Sequence, residues 1–182
     1  HVRNDPLDGV QNGLGIYVQA KGPTVATVDV DDVTVSGYQK NGITFNGCGC
    51  ADTPDGVATG SITNSTATGA GAVPVIAQNG IQVGFGAGPV TISGNTITGH
   101  RYTGDPNNGT GSGILIFSSQ DNVIDLNDVE GGNNGIVFQG GSFGLCVAGD
   151  TRNNIATCNR VADHDAFSYE IGVSADSASN SI

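Results

Sequence analysis

Along this chain a small polar turn is followed, again and again, by two aliphatic or aromatic residues separated by one position. The phrase reads Leu14-Gly15-Ile16-Tyr17-Val18, Asn41-Gly42-Ile43-Thr44-Phe45, Asn79-Gly80-Ile81-Gln82-Val83, Ser112-Gly113-Ile114-Leu115-Ile116, Asn134-Gly135-Ile136-Val137-Phe138 and Tyr169-Glu170-Ile171-Gly172-Val173. Such alternation is the period of a strand with one buried face. A single copy cannot bury its apolar pair alone, so the repeats imply a stack in which each strand covers the next. The predicted inward rows are Ile16, Ile43, Ile81, Ile114, Ile136 and Ile171, and, two positions on, Val18, Phe45, Val83, Ile116, Phe138 and Val173. No segment shows sustained helical spacing, and apolar runs such as 145–148 are far too short to span a membrane.

A second strand alternates with the first and carries its own landmark, an asparagine two positions before an aliphatic residue: Asn95 before Ile97, Asn127 before Val129, Asn159 before Val161. Earlier coils are expected to place Ser65 and Tyr38 there, giving spacings of 27, 30, 32 and 32 residues. One polar residue fixed at each bend can build a ladder of side-chain amides. Loop insertions are expected over 66–78 and 100–111 on one edge, and over 46–59 and 140–152 on another, where function would sit. Asn180-Ser181-Ile182 matches Asn122-Val123-Ile124, so the sequence is expected to stop inside another coil. Such an end implies a longer chain, a covering partner or end-to-end self-association.

These alternating Asn-x-Ile-x-Gly and Asn-Gly-Ile-x-Val phrases, from about residue 10 to 182, resemble the repeats of right-handed parallel β-helix proteins in the pectate-lyase-like superfamily. The resemblance implies an all-β solenoid, a right-handed parallel β-helix of about six coils with loop insertions, as a single domain over 1–182. Six strands about 4.8 Å apart would make a rod on the order of 29 Å long.

Composition narrows the partners. Seventeen acidic against six basic side chains give a formal charge of −11, which repels nucleic acid and anionic lipid, so neither nucleic-acid binding nor membrane insertion is expected. Cys48, Cys50, Cys146 and Cys158 include no CxxC pair, which favours disulfides over zinc and a secreted or cell-surface location. The preferred pairing is Cys146 with Cys158; Cys48 with Cys50 would be strained even across Gly49.

Outward positions of the Gly-Ile strands are Tyr17 and Gln19, Thr44 and Asn46, Gln82 and Gly84, Leu115 and Phe117, Val137 and Gln139, Gly172 and Ser174, of which only Tyr17 is ionisable. Enzymes resembling this fold work over one sheet with an Arg or Lys base and acidic residues that hold calcium against a uronate; that machinery is missing from these positions. Tyr17, Gln82, Phe117 and Gln139 are candidates instead for stacking on and hydrogen bonding to a neutral glycan. The plainer alternative is a solvated or loop-covered sheet, and Leu115, Phe117 and Val137 form an apolar patch that something should cover.

The candidate catalytic cluster is Asp163, His164 and Asp165, aligned by repeat register with His100 two coils away, beside Arg101 and Tyr102. A histidine flanked by carboxylates suits acid–base work in elimination or epimerisation of a uronic acid; the plainer alternative is a turn whose aspartates bond backbone amides. Calcium is the one cofactor considered, at Asp29 and Asp31, which share a strand face, or at Asp105 and Asn107 in a glycine-bearing loop. Asn64 and Asn108 begin Asn-x-Thr triplets that fit the glycosylation rule. An ice-binding face would need a regular threonine array, and Thr44 has no threonine neighbours in its row.

The leading expectation is an extracellular or cell-surface module, structural or glycan-binding, with no chemistry of its own. The alternative is a polysaccharide lyase, hydrolase or epimerase acting on an acidic glycan along the edge from His100 to His164.

Overall fold

The computed structural model describes residues 6–47, 56–105, 107, 109–141, 151–162, 170–173 and 177–182. In chain order the strands are β1 (Ile16–Gln19), β2 (Val25–Asp31), β3 (Thr34–Ser36), β4 (Asn41–Asn46), β5 (Val57–Thr63), β6 (Thr66–Val73), β7 (Asn79–Gly84), β8 (Val90–Ser93) and β9 (Thr96–Tyr102). They continue as β10 (Ser112–Phe117), β11 (Val123–Asp125), β12 (Asp128–Glu130), β13 (Asn134–Gln139), β14 (Thr151–Arg152), β15 (Ile155–Thr157), β16 (Arg160–Ala162), β17 (Ile171–Val173) and β18 (Ser177–Ala178). No α-helix occurs among the described residues, so no helix there is long and apolar enough to cross a membrane.

Three parallel sheets wrap the axis. The Gly-Ile sheet runs β1-β4-β7-β10-β13-β17, the second β2-β5-β8-β11-β15 and the third β3-β6-β9-β12-β16, so sheet neighbours are successive turns of one coil. The fold is a parallel β-solenoid of about four turns, fewer than the six coils that the six repeated phrases suggest. The Gly-Ile sheet has six strands to β17 and the other two have five each, with a single bridge from Ile155 to Ser181 beyond β15.

The predicted inward rows are in register. Ile16 pairs with Ile43, Ile43 with Ile81, Ile81 with Ile114, Ile114 with Ile136 and Ile136 with Ile171, and the second row follows the same order from Val18 to Val173. Ile43, Ile81, Ile114 and Ile136 are fully buried, whereas Val173, with no described coil beyond it, is 48% exposed. The second sheet adds Val30, Ile62, Ile92, Ile124 and Ala156 to the core, and the third adds Val35, Ala67, Ile97, Val129 and Val161. Each fully buried aliphatic side chain contributes about 1.5–3 kcal/mol.

The glycines at 15, 42, 80 and 113 that open the phrases are required by close approach. A Cβ on Gly80 would stand 2.3 Å from Ile97 Cγ2 and 2.7 Å from the Gly113 carbonyl oxygen, and one on Gly113 would stand 2.2 Å from Val129 Cγ1. The inner row of the third sheet therefore presses directly on the corner where the Gly-Ile sheet begins.

Asparagine ladders tie the coils together. The amide N–H groups of Ser65, Asn95 and Asn127 donate to the Oδ1 atoms of Asn95, Asn127 and Asn159 at 2.9, 3.0 and 3.0 Å. Tyr38 is not in this row. The Val33 amide donates to Ser65 Oγ, and Thr34 pairs with Thr66, so the first interval is a full coil of 32 residues rather than 27. A second ladder joins Val90, Asn122, Asn154 and Asn180 through the same backbone-to-Oδ1 bonds. It fulfils the match between 179–182 and 121–124.

All four expected insertions are partly strand, since β5 begins inside 46–59 and β14 lies at the end of 140–152. β6 and β9 extend the third sheet past a register shift, pairing Gly71 with His100, Ala72 with Arg101 and Val73 with Tyr102. Regular hydroxyl rows also exist, on the third sheet rather than the Gly-Ile sheet: Thr34, Thr66 and Thr96 lie in one, Ser36, Thr68 and Thr98 in the next. They end at Asp128 and Glu130, which are ion-paired with Arg160.

Candidate functional site

The outer face of the Gly-Ile sheet forms the floor of a groove of about 610 Å³, and it brings Tyr17, Gln82, Phe117 and Gln139 together. Stacking in register is what places them: Tyr17, Thr44, Gln82, Leu115 and Val137 form one row, and Asn46, Gly84, Phe117 and Gln139 part of the next. Tyr17 is 46% exposed at one end. At the other, Phe117 packs edge to face on Phe85, with ring centroids 5.2 Å apart and planes at 61°. Gly84, between the Asn46 and Phe117 positions, leaves room for the aromatic pair.

Between these ends lies a network of neutral amides. Asn41 Nδ2 donates to Thr44 Oγ1 at 3.2 Å and to Gln82 Oε1 at 3.1 Å. Asn79 Nδ2 donates to Asn41 Oδ1 at 3.2 Å and Gln82 Nε2 to Asn46 Oδ1 at 3.3 Å, while the Ser112 amide donates to Asn79 Oδ1. Thr44 and Gln82 are therefore buried although they lie on the outer side of the sheet. The network fixes the rotamers of the floor before any ligand arrives. Asn41, Asn79 and Phe85 were not singled out from sequence. Their signal was the asparagine opening the phrases at 41 and 79, which reads locally as a turn residue.

Lys40 is the one cationic side chain among the described lining residues, which include no carboxylate. Its ammonium donates to the Ala77 carbonyl, and burial lowers its pKa.

His100 lies in the interior. It is 1% exposed, its Nε2 is hydrogen bonded to the Tyr38 hydroxyl, and the two rings stack with centroids 6.0 Å apart at 12°. Burial lowers the imidazole to about 3 and pushes the Tyr38 phenol well above its ordinary value, so both groups are neutral. The expectation that His100 stands on a reactive edge is corrected. Gly69 and Gly80, whose hypothetical Cβ atoms would stand 2.9 and 3.0 Å from the imidazole, open an interior slot that the ring fills. Arg101 and Tyr102 follow it on β9 half-buried; the Tyr102 amide donates to Asn133 Oδ1 at 2.6 Å. Asp163, His164 and Asp165 lie outside the described residues.

The calcium candidates are occupied by local hydrogen bonds. Asp29 accepts from Ser61 Oγ at 2.7 Å, and Asp31 accepts from Thr63 Oγ1 and Asn64 Nδ2 at 2.7 and 2.9 Å, which lowers the pKa of Asp31. Each carboxylate is thus bonded to a hydroxyl of the next coil. Asp105 accepts from the Asn107 backbone amide and side-chain Nδ2 at 2.9 and 2.8 Å, closing a local turn. No cluster of three metal-ligating side chains occurs among the described residues. Asn64 is exposed in the left-handed region at φ 49°; Asn108 lies outside the described residues. Cys158 is exposed and makes no disulfide with a described residue, and Cys48, Cys50 and Cys146 also fall outside.

Comparison with family models, with curated proteins and with solved structures finds no match.

Proposed function

We propose that this chain is an extracellular or cell-surface β-solenoid module that binds glycan and breaks no bonds in it. The observation that carries the reading is the groove floor: neutral amides and a hydroxyl held in place by one another, flanked by Tyr17 and the Phe85–Phe117 pair. Sugar rings offer apolar faces to aromatic side chains and hydroxyls to amides, and a rigid groove with these groups suits them. Kinship with the pectate-lyase-like superfamily belongs to the same proposal; in that case the chain keeps the scaffold, while its described groove lining offers no acidic calcium ligands. The alternative of a lyase, hydrolase or epimerase rests on Asp163, His164 and Asp165, outside the described residues, and on His100, whose ring is buried and neutral and so faces no substrate outside.

The test is retention on a panel of immobilised polysaccharides, with reducing ends and unsaturated-uronate absorbance followed in the same samples. Retention without product formation supports the proposal. Product formation, or failure to bind any polysaccharide, overturns it.

A further inference from the structure

Resting on that glycan-binding reading, we infer that the groove takes an uncharged oligosaccharide laid along the solenoid axis, with its end rings on Tyr17 and Phe117 and its hydroxyls on Asn46 and Gln82.

Direction follows from the register. Tyr17 on β1 and Phe117 on β10 are separated by β4 and β7, so the two rings stand three coil-to-coil steps apart, about 14 Å. That is longer than any single sugar ring, and only a chain parallel to the axis reaches both aromatic ends. Polarity changes along the way. The early coils present amides, whereas the later ones present Leu115, Phe117 and Val137, half-buried and apolar.

Neutrality follows from what the floor can donate. Gln82 Nε2 has one donor committed to Asn46, and the Asn46 amide nitrogen has no hydrogen-bond partner among the described residues, so the floor offers uncharged N–H groups to the groove. A carboxylate entering this site would lose water and meet a single cation in the described lining, Lys40, which already donates to the Ala77 carbonyl, on a floor otherwise made of neutral amides. The chain's charge of −11 opposes a polyanion further.

The experiment is calorimetric titration of the full chain with cello-, manno- and malto-oligosaccharides of increasing length and with polygalacturonate, at low and high salt. The inference expects affinity that rises with neutral chain length, is unchanged by salt, and falls about tenfold or more in Phe117→Ala. Asn46→Ala should weaken binding too, with the urea midpoints of both variants reporting that they fold. Tighter, salt-sensitive binding of polygalacturonate would overturn the inference while leaving glycan binding intact. Equal affinity for short and long neutral chains would overturn the axial placement. Absence of binding to every probe would remove the glycan reading itself.

Discussion

Keeping His100 neutral inside the solenoid makes the fold acid-sensitive by an amount that burial sets. The imidazole pKa is about 3 in the folded chain and 6.5 when free. Above pH 6.5 neither state holds the proton; as pH falls through 6.5 toward 3, the unfolded chain takes up a proton that the folded chain refuses, so stability declines. The loss is about 2 kcal/mol at pH 5 and approaches about 5 kcal/mol below pH 3. Tyr38, the titratable group in contact with the ring, stays protonated throughout because burial raises its pKa. Asp31 does not interfere: its depressed pKa contributes stability above the ordinary carboxylate range and loses it only as pH falls below that range. Urea denaturation followed by circular dichroism at pH 8 and pH 5 reads the effect, a lowering of the midpoint by about 1 M for an m-value of about 2 kcal/mol/M. His100→Gln can keep a hydrogen bond to Tyr38 without titrating, and should lose most of the pH 8 to pH 5 difference. Equal differences in the two proteins, or a His100 ring resonance titrating near 6.5 in the folded state, would refute the reasoning.

Three further outcomes follow from the same geometry. Asn127→Ala removes bonds to Asn95, Asn159 and the Ile92 carbonyl in one step and should cost about 2–4 kcal/mol by thermal or urea unfolding, leaving Asn95 and Ile92 unsatisfied. Gly80→Ala drives a Cβ to 2.3 Å from Ile97 Cγ2 and should cost more than about 2 kcal/mol, whereas Gly86→Ala, with φ +81° but open space, should cost about 1 kcal/mol, as judged by urea midpoints. Arg160→Ala, at a surface ion pair with the half-exposed Asp128 and Glu130, should leave the urea midpoint at moderate salt nearly where it was.

The rows were legible because period-two alternation and a one-coil repeat are both local signals. Ile43, Ile81 and Ile114 each follow a glycine, and one register satisfies all three, as their direct pairing bears out. The ladder at Asn95, Asn127 and Asn159 was legible for the same reason, since the landmark recurs at a constant 32 residues. Tyr38 was misplaced because sequence spacing cannot distinguish a bend residue from a nearby side chain turned into the core. Position 33 carries a valine, whose backbone alone takes part in the ladder. The extension of β6 was hidden by Gly69 and Gly71, which read as turn residues; Gly71 has φ +79° and still pairs with His100. Of the groove, Tyr17, Gln82, Phe117 and Gln139 could be read from alternation. Asn41 and Asn79 could not, because an asparagine before glycine signals a turn, and its bond to a side chain three positions along or one coil away leaves no local trace.

The same economy explains why groove and core are linked. Asn79 opens β7, so its backbone is fixed by the stack while its side chain holds Asn41 and Gln82 in the groove; Gly80, the next residue, is wedged against Ile97 in the core. His100 closes the slot behind that corner, on the carbonyl side of which Gly111 leads into β10. A shift of the core row by even a fraction of an ångström must therefore move the amide floor, since close-packed interiors transmit strain rather than absorb it. A ligand that requires this floor in its present geometry would then stabilise the stack itself, by the ordinary linkage between binding and folding.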